Sequence, residues 1–146
     1  MSIAVLGEIV NRLNDKTKLS KVTQAMHLRN VLGASIAGQA QAWVIELSSL
    51  PTQSLDDIGA MVQVEPVRYG VVIGLKTTND PEGTKSLAKL EALRHYVRQQ
   101  LFDWQPNPEH DAFELDGSEL LHIEAAAIYW VERFNTQHTI TKENLL

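Results

Sequence analysis

Apolar residues recur at three- and four-residue steps in a long segment near the middle of the chain. The recurring positions are Leu87, Leu90, Leu93, Val97 and Leu101. This spacing places them on one side of an α-helix, while basic residues such as Arg94 and Arg98 fall largely on the other sides. Pro106 and Pro108 cannot continue a helix. The segment therefore predicts a helix that packs on a flat surface, followed by a stiff, acidic surface loop over Trp104–Phe113.

Two shorter helices are predicted before this segment. Apolar residues at helical spacing from Ile3 to Leu13 indicate an amphipathic helix at the N-terminus. Val22 to Leu32 mixes β-branched residues with one helical face, so we expect a short extended segment and then a short helix that ends near Gly33. Residues Ala34 to Gln41 are small and polar without periodicity, which predicts a loop.

The remaining apolar segments are typical of strands. Ala42–Leu47 is a compact apolar run with β-branched and aromatic members, which predicts a core strand. The segment Ser48–Gly59 predicts an exposed loop. Met61–Pro66 alternates and Val67–Thr78 continues as a strand, and the break at Glu65–Pro66 allows either a hairpin or one long bent strand that projects from the body.

Two more strands follow the proline-rich loop, at Leu120–Ile123 and Ala126–Ile140. Strands thus outnumber helices and lie on both sides of the central helix in sequence. This order predicts an α+β fold: a mostly antiparallel β-sheet with an N-terminal helix and a long central helix packed on one face. A chain of 146 residues fits a single domain over 1–146, and we expect a flexible C-terminal tail from about residue 141.

Composition narrows the class of protein. Apolar residues make up 44% and charged residues 21%, as in ordinary soluble globular domains. The net charge of −5 argues against a dedicated nucleic-acid binder. The absence of cysteine excludes structural disulfides and thiolate chemistry. No apolar run has the length of a signal peptide or a transmembrane helix, so we expect a protein made in the cytosol with no membrane partner.

Charge is divided between two regions of the chain. The N-terminal fifth is basic, with Arg12, Lys16, Lys18, Lys21 and Arg29. No lysine or arginine stands between Arg98 and Arg133. The acidic residues there include Asp103, Glu109, Asp111, Glu114, Asp116, Glu119 and Glu124. Two poles of opposite charge suit head-to-tail contacts between subunits, although a solvated acidic face that maintains solubility explains the pattern equally well.

Two glycine motifs resemble catalytic loops without matching them. Gly70 and Gly74 are separated by three residues, whereas a phosphate-binding loop needs four. Leu75 also stands where that loop has its lysine. We expect instead a strand whose glycines lie under bulky neighbouring side chains. Gly33–Gly38 differs by one residue from a nucleophile elbow and follows no predicted strand.

The five histidines form no recognised metal or catalytic motif. His122 and Glu124 share a face of a predicted strand and could supply two metal ligands, but an exposed strand face explains them as well. Glu109, His110 and Asp111 could hold a general acid or base, although no partner at defined spacing supports one. The sequence therefore predicts no catalytic residue, no cofactor and no metal site.

The three tryptophans lie far apart in sequence, in the first long strand, at the exit of the central helix and in the last strand. We expect Trp43, Trp104 and Trp130 to meet in one core. Trp104 has a second interpretation, because tryptophan is enriched at interfaces: it either anchors the base of the loop or faces a partner.

The apolar segments follow one another in an order typical of a known protein family. They are Val22–Leu32, Ala42–Leu47, Val62–Val64, Arg68–Ile73, Leu90–Arg94, Trp104–Pro106 and Tyr129–Thr136. This order and spacing, from about Ile3 to Ile140, resembles the tail-terminator (tail-completion) proteins of long-tailed phages, in particular the branch of Mu-like phages and prophages. Phe102 and Asp103 stand before Trp104 where a glycine is commoner in that family.

The resemblance implies a structural, non-enzymatic role in the virion tail. Such proteins form a closed ring, commonly of six copies, on the end of the finished tail tube. The ring stops further tube polymerisation and offers the surface to which the filled head joins. The implied partners are other copies of the chain, the tail tube protein and a head-completion or connector protein. The resemblance also implies assembly in the host cytoplasm, with no nucleic-acid or membrane partner.

Exposed parts of the predicted fold supply the candidate contact residues. These are Glu65, Pro66, Arg68, Trp104, Glu109, Asp111 and Asp116. The surfaces concerned are the predicted hairpin tip at Glu65–Val67 and the two exposed loops. Two other hypotheses stay open: a small cytosolic hydrolase that uses Glu109, His110 and His122, and a monomeric binding module.

Overall fold

Three α-helices and five strands make up the part of the chain that the computed structural model describes, residues 2–53 and 59–145. The helices are α1 (Ser2–Leu13), α2 (Leu28–Leu32) and α3 (Thr84–Leu101). The strands are β1 (Lys21–Gln24), β2 (Ala40–Ser49), β3 (Gln63–Lys76), β4 (Glu114–Glu124) and β5 (Ala127–Ile140). A short 3-10 helix, Glu143–Leu145, follows β5. In α1 the side chains are described from residue 4 onward.

The strands form one sheet in the order β1-β2-β3-β5-β4. β1 pairs with β2 in parallel, and the other strand pairs are antiparallel. Apolar residues of α1 and α3 share one core with one face of the sheet. The predicted α+β fold, with a mostly antiparallel sheet and the two helices on one face, is therefore confirmed. The short extended segment and the short helix that ends at Gly33 are present as β1 and α2.

β3 is one continuous strand of 14 residues, so the hairpin tip predicted at Glu65–Val67 is wrong and the long strand is correct. Glu65 pairs with His138, and Pro66 pairs one residue earlier in β5. The Pro66 carbonyl accepts a hydrogen bond from the Leu50 amide at 3.2 Å, on the side of β3 that faces away from β5. A residue's N–H and C=O point to the same side of an antiparallel strand. The missing N–H of Pro66 therefore costs no hydrogen bond to β5.

The larger core lies between the two long helices and the sheet. Its fully buried members include Val5, Ile9, Leu13, Val44, Tyr69, Ile73, Val97, Leu101 and Phe134. The Tyr96 hydroxyl donates a hydrogen bond to the Leu13 carbonyl at 3.0 Å and joins α3 to the end of α1. The predicted inward position of Leu87 is wrong, since this side chain is 60% exposed. The buried stripe begins instead at Ser86, and each residue turns a helix by roughly 100°.

A smaller core lies on the opposite face of the sheet, where α2 packs. Its buried members are Val31, Ile36, Trp43, Val72, Ala127, Tyr129 and Val131. Trp43 belongs to this core, while Trp104 and Trp130 pack against the helix-side core. The prediction that the three tryptophans meet is therefore wrong. Alternate residues of a strand point to opposite faces, and this parity separates Trp43 from Trp130.

Two glycines of β3 allow bulky side chains to lie across the strand, as predicted. A Cβ atom on Gly74 would stand 2.8 Å from Cζ3 of Trp43 and 3.2 Å from Cε1 of Tyr129. A Cβ atom on Gly70 would stand 3.2 Å from Cγ2 of Val131. The space lets the rings of Trp43 and Tyr129 approach with their centroids 6.2 Å apart.

β2 takes residues from both loops that were predicted beside it, since it runs from Ala40 to Ser49. The chain then stays beside β3, where the Thr52 amide donates a hydrogen bond to the Val64 carbonyl at 2.7 Å. Residues 54–58 of the predicted loop Ser48–Gly59 lie outside the described residues. No helix within the described ranges is long and apolar enough to cross a membrane. The single domain over 1–146 and the flexible tail from about residue 141 stay predictions.

Candidate contact surface

Acidic and histidine side chains gather at the end of the sheet where β3 begins and β5 ends. We call this surface the acidic end; it comprises Glu46, Glu65, Glu109, Asp111, His110 and His138. An open cavity of about 360 Å³ lies between Glu46, Glu65 and Glu109. Two of the candidate contact residues, Glu65 and Glu109, therefore line one cavity although they are distant in sequence, and the main chain of Asp111 is bonded to β5 nearby.

Trp104 anchors the base of the loop Trp104–Phe113. Its ring stacks on Phe113 with centroids 5.9 Å apart, and the Arg12 guanidinium lies 5.4 Å from the centroid of the tryptophan ring. The preceding residue, Asp103, has φ 60, in the left-handed region that favours glycine. Contact of Trp104 with a partner stays a prediction.

Hydrogen bonds hold the acidic part of the same loop against β5. The Asp111 amide donates to the Gln137 carbonyl at 2.9 Å. The Thr136 hydroxyl donates to the Asp111 carbonyl at 2.6 Å. The carboxylates of Glu109 and Asp111 nevertheless belong to exposed residues. The main chain is therefore fixed while both charges stay available to a partner.

A pair of stacked histidines joins the loop to the end of β5. The rings of His110 and His138 have centroids 4.5 Å apart, and His110 is buried. Oδ1 of Asn107 accepts the main-chain N–H groups of residues 109 and 110, so it also accepts the Nδ1 proton of His110 at 2.8 Å. Burial, and then the neighbouring His138 ring, lowers the pKa of His110 from 6.5 to about 4. Nε2 of His138 lies 2.7 Å from Oε1 of Glu65.

The other candidate residues lie on a different surface. Arg68 and Asp116 form an ion pair across β5, on the sheet face opposite α1 and α3, with side chains 48% and 28% exposed. Asp116 stands in a bulge of β4 next to Gly117, whose φ is 93. By strand parity Pro66 points to the same face as Arg68. The structure thus divides the predicted contact residues between the acidic end, this face and, for Trp104, the base of the loop.

The residues of the alternative hydrolase are not brought together. His122 pairs with Tyr129 near the start of β5, whereas His110 bridges to His138 near its end. The length of β5 between these two positions is roughly 30 Å. His122 Nε2 lies 3.4 Å from Oε1 of Glu124, so the expected shared face of these two residues is present. Among the residues that the structure describes, no group of three or more histidine or acidic side chains could hold a metal ion.

The sequence analysis missed a buried ion cluster between α3 and β5. The Glu132 side chain is 1% exposed, and its Oε1 lies 2.8 Å from Nε of Arg94 and 3.1 Å from Nε of Arg98. The Arg94 guanidinium also lies 4.2 Å from the centroid of the Trp130 ring. One feature of the sequence could have revealed this cluster: Glu132 is an acidic residue among the inward-facing residues of β5. Two arginines four residues apart on one side of a helix are its natural complement.

The comparison with protein-family models agrees with the resemblance. A model of the family described as phage tail terminator protein matches residues 1–144. A chain from a solved structure described as "Virion of native gene transfer agent (GTA) particle" is similar in fold, with a TM-score of 0.49 and 11% identity over 96% of this chain and 95% of that one. None of the curated proteins matches the chain. The Mu-like branch stays a prediction. The match over nearly the whole length shows that the chain belongs to the phage tail terminator protein family, and it is thus a structural protein of the virion tail that contacts other tail proteins.

Proposed function

We propose that the protein closes into a ring on the end of the tail tube, stops further tube polymerisation and provides the surface to which the head joins. The observation that carries this proposal is the acidic end, where Glu65 and Glu109 line one cavity and the exposed Asp111 is held against β5. The family membership of residues 1–144 supports the same role. In keeping with the family resemblance, we expect six copies in the ring.

The position of the acidic end suits an axial contact in such a ring. β1 and β4 are the outer strands of the sheet, so their free edges point sideways. If neighbouring copies meet through these edges, the strand ends face along the ring axis, toward the tube on one side and the head on the other. The acidic end then meets a whole neighbouring ring instead of an adjacent subunit.

The two ends of the sheet differ, and that difference suits a protein that ends growth. The acidic end presents a cavity between carboxylates and a loop held by hydrogen bonds. The opposite end is made by the turn over residues 77–83 and the short β4–β5 connection at Ala125 and Ala126. The acidic end can bind the last tube ring, and the opposite end then faces the head. Because hydrogen bonds already fix the main chain of this loop, less conformational entropy is lost when it binds a partner.

Purified tail tubes supply the test. Tubes are extended with tube protein in the presence of the terminator, and their lengths are measured by electron microscopy. We expect elongation to stop and a ring with the mass of six copies of the 16.3 kDa chain to appear by native mass spectrometry. Tubes that keep lengthening while the folded protein is present would contradict the proposed function.

Charge reversal at the acidic end locates the contact. The variant Glu109→Lys with Asp111→Lys should remain folded, because both residues are exposed, and should lose most capping. Reversal of two exposed acids on the helices, Glu8→Lys with Glu91→Lys, is the matched control and should cap normally. If the first variant unfolds, the loop is structural and its assignment as a contact surface is wrong.

A further inference from the structure

We propose that adjacent copies in the ring meet edge to edge, with the basic β1 edge of one copy docked on the acidic β4 edge of the next. The contact buries the apolar groove between β4 and α3. This inference rests on the proposed ring and names the surfaces that build it. The occupant of the groove is a second copy of this chain.

The sheet order provides two different free edges on opposite sides of the molecule. β2, β3 and β5 each pair with strands on both sides, whereas β1 pairs only with β2 and β4 only with β5 among the described strands. A contact between two different patches is heterologous, and repetition of such a contact closes a ring when the rotation allows. The unpaired main-chain N–H and C=O groups on a free strand edge can pair with another strand.

The two edges carry opposite charge, which selects one edge for the other. Strand β4 has no lysine or arginine and carries Glu114, Asp116, Glu119 and Glu124. The β1 edge carries Lys21, preceded by the exposed Lys16 and Lys18. Lys21 forms no ion pair with another described residue, whereas Asp116, Glu119 and Glu124 each have a partner within the chain. The exposed lysines of the β1 edge complement the acids of β4 better than a second β4 edge does, so the charges favour the head-to-tail contact over a symmetric dimer.

An apolar groove lies on the helix side of the sheet, where the end of β4 meets the start of α3 and the turn over residues 77–83. Side chains of α3 share the helix-side core with β3 and β5, whereas β4 leaves Leu120 44% and Ile123 63% exposed. Leu87 of α3, 60% exposed, lines the same groove as Ile123 and Ile128, and its volume is about 620 Å³. Large exposed apolar side chains in one groove are typical of an interaction surface. Because the groove adjoins the acidic β4 edge, we expect one neighbouring copy to cover both surfaces.

Strand directions define how the edges would align. β4 runs opposite to β5, which runs opposite to β3, which runs opposite to β2 and β1. The β1 strand of a neighbour in the same orientation is therefore antiparallel to β4. Lys21 and His122 lie at the same level of the sheet, because successive strand pairings connect them through Gln41, Gly74 and Tyr129. Lys21 of one copy then approaches His122 of the next on one face. On the other face the half-buried Val22 approaches the groove.

The lack of cysteine allows a direct test by disulfide cross-linking. The chain Lys21→Cys/His122→Cys is oxidised on capped tubes and run on a non-reducing gel. Its two thiols stand roughly 19 Å apart within one copy, too far for an internal bond. We expect a ladder of covalent oligomers that ends at the ring size. Each single variant, and the pair Lys21→Cys/Glu91→Cys, should remain uncross-linked.

A second variant tests the groove itself. Ile123→Asp should fold normally, because the side chain is exposed, and should weaken ring assembly by about tenfold or more. Phe102→Asp, at another exposed apolar residue, is the matched control and should assemble normally. Capping without a ladder would overturn the edge contact and leave the proposed function standing. A dimer from the single variant His122→Cys would also overturn it, whereas loss of capping by the unmodified protein would overturn the proposed function.

Discussion

β4 and β5 form one hairpin, yet their similar apolar residues have opposite environments. Phe134 and Val131 of β5 are 0% and 1% exposed, whereas Leu120 and Ile123 of β4 are 44% and 63% exposed. β5 lies between two strands and packs against α3, while β4 pairs with only one of the described strands. Residues of one chemical type therefore stabilise the fold in one strand and remain available for contacts in the next.

Acidic residues of the two strands show the same contrast. Glu132 of β5 is buried between Arg94 and Arg98, and Glu119 of β4 pairs with Arg133 at 2.7 Å while 58% of its side chain is exposed. A buried carboxylate depends on its partners because it has lost its hydration. An exposed one exchanges a partner for water at small cost. Position in the sheet, not residue type, decides which role an acid has.

The largest expected difference concerns the apolar side chains. Phe134→Ala should lower the free energy of unfolding by about 3–5 kcal/mol, because Phe134 is fully buried against Phe113. Leu120→Ala should change it by no more than about 0.5 kcal/mol. Urea unfolding followed by circular dichroism measures both values. Equal losses would show that β4 is as much a part of the core as β5.

Truncation of the two acidic residues, Glu132 and Glu119, should give a somewhat smaller difference in the free energy of unfolding. Glu132→Ala leaves two guanidinium groups without their carboxylate and should cost about 3 kcal/mol, at the lower end for a broken buried pair because both arginines are partly exposed. Glu119→Ala should cost about 0–1 kcal/mol. Thermal unfolding of both variants under one buffer condition makes the comparison. A small loss for Glu132→Ala would mean that water already reaches this cluster.

A pH dependence that develops gradually is expected from the loop joined to β5. The pKa of His110 is about 4 in the folded chain and 6.5 without the fold, so the unfolded chain takes up this proton more readily. The contribution of neutral His110 to the free energy of unfolding is therefore complete above pH 6.5 and is lost as the pH falls toward 4. The slope should be on the order of 1 kcal/mol per pH unit.

The variant His110→Asn isolates that contribution. Its amide can donate to Asn107 Oδ1 as the imidazole Nδ1 does, but it does not titrate. Unfolding free energies of both proteins are measured from pH 7.5 to 4, and their difference should shrink as the pH falls. An unchanged difference would show that folding does not lower the pKa of His110. A direct NMR titration of the His110 ring gives an independent value.

Much of the fold was predictable because local patterns act within one element. The helical spacing of Leu90, Leu93, Val97 and Leu101 predicts α3 and its buried side. The alternation from Ala126 to Ile140 predicts β5. The prediction for Leu87 was wrong because an apolar residue at the edge of a helical stripe can face either the core or solvent. Only the arrangement of β4 beside α3 decides which one it faces.

The candidate contact surface was predictable only in part. Glu109 and Asp111 were expected on an exposed loop, and both are exposed residues. Their approach to Glu65 required the pairing of β3 with β5, a contact between residues far apart in sequence. The Glu65–Pro66 break allowed a hairpin because local signals do not reveal which side of a strand lacks a partner. Trp43 and Trp130 were expected together because their strands were known but the parity of the pairing was not.

The sequence by itself determined the element types, the family resemblance and the unequal distribution of charge, because each depends on residues near one another or on their order. The tertiary structure alone decided that the basic segment lies by β1 and the acidic segment along β4, at opposite edges of one sheet. It also decided that Glu132 is buried while Glu119 is exposed. The physical reason is that burial and strand order come from long-range pairing, which no local pattern contains.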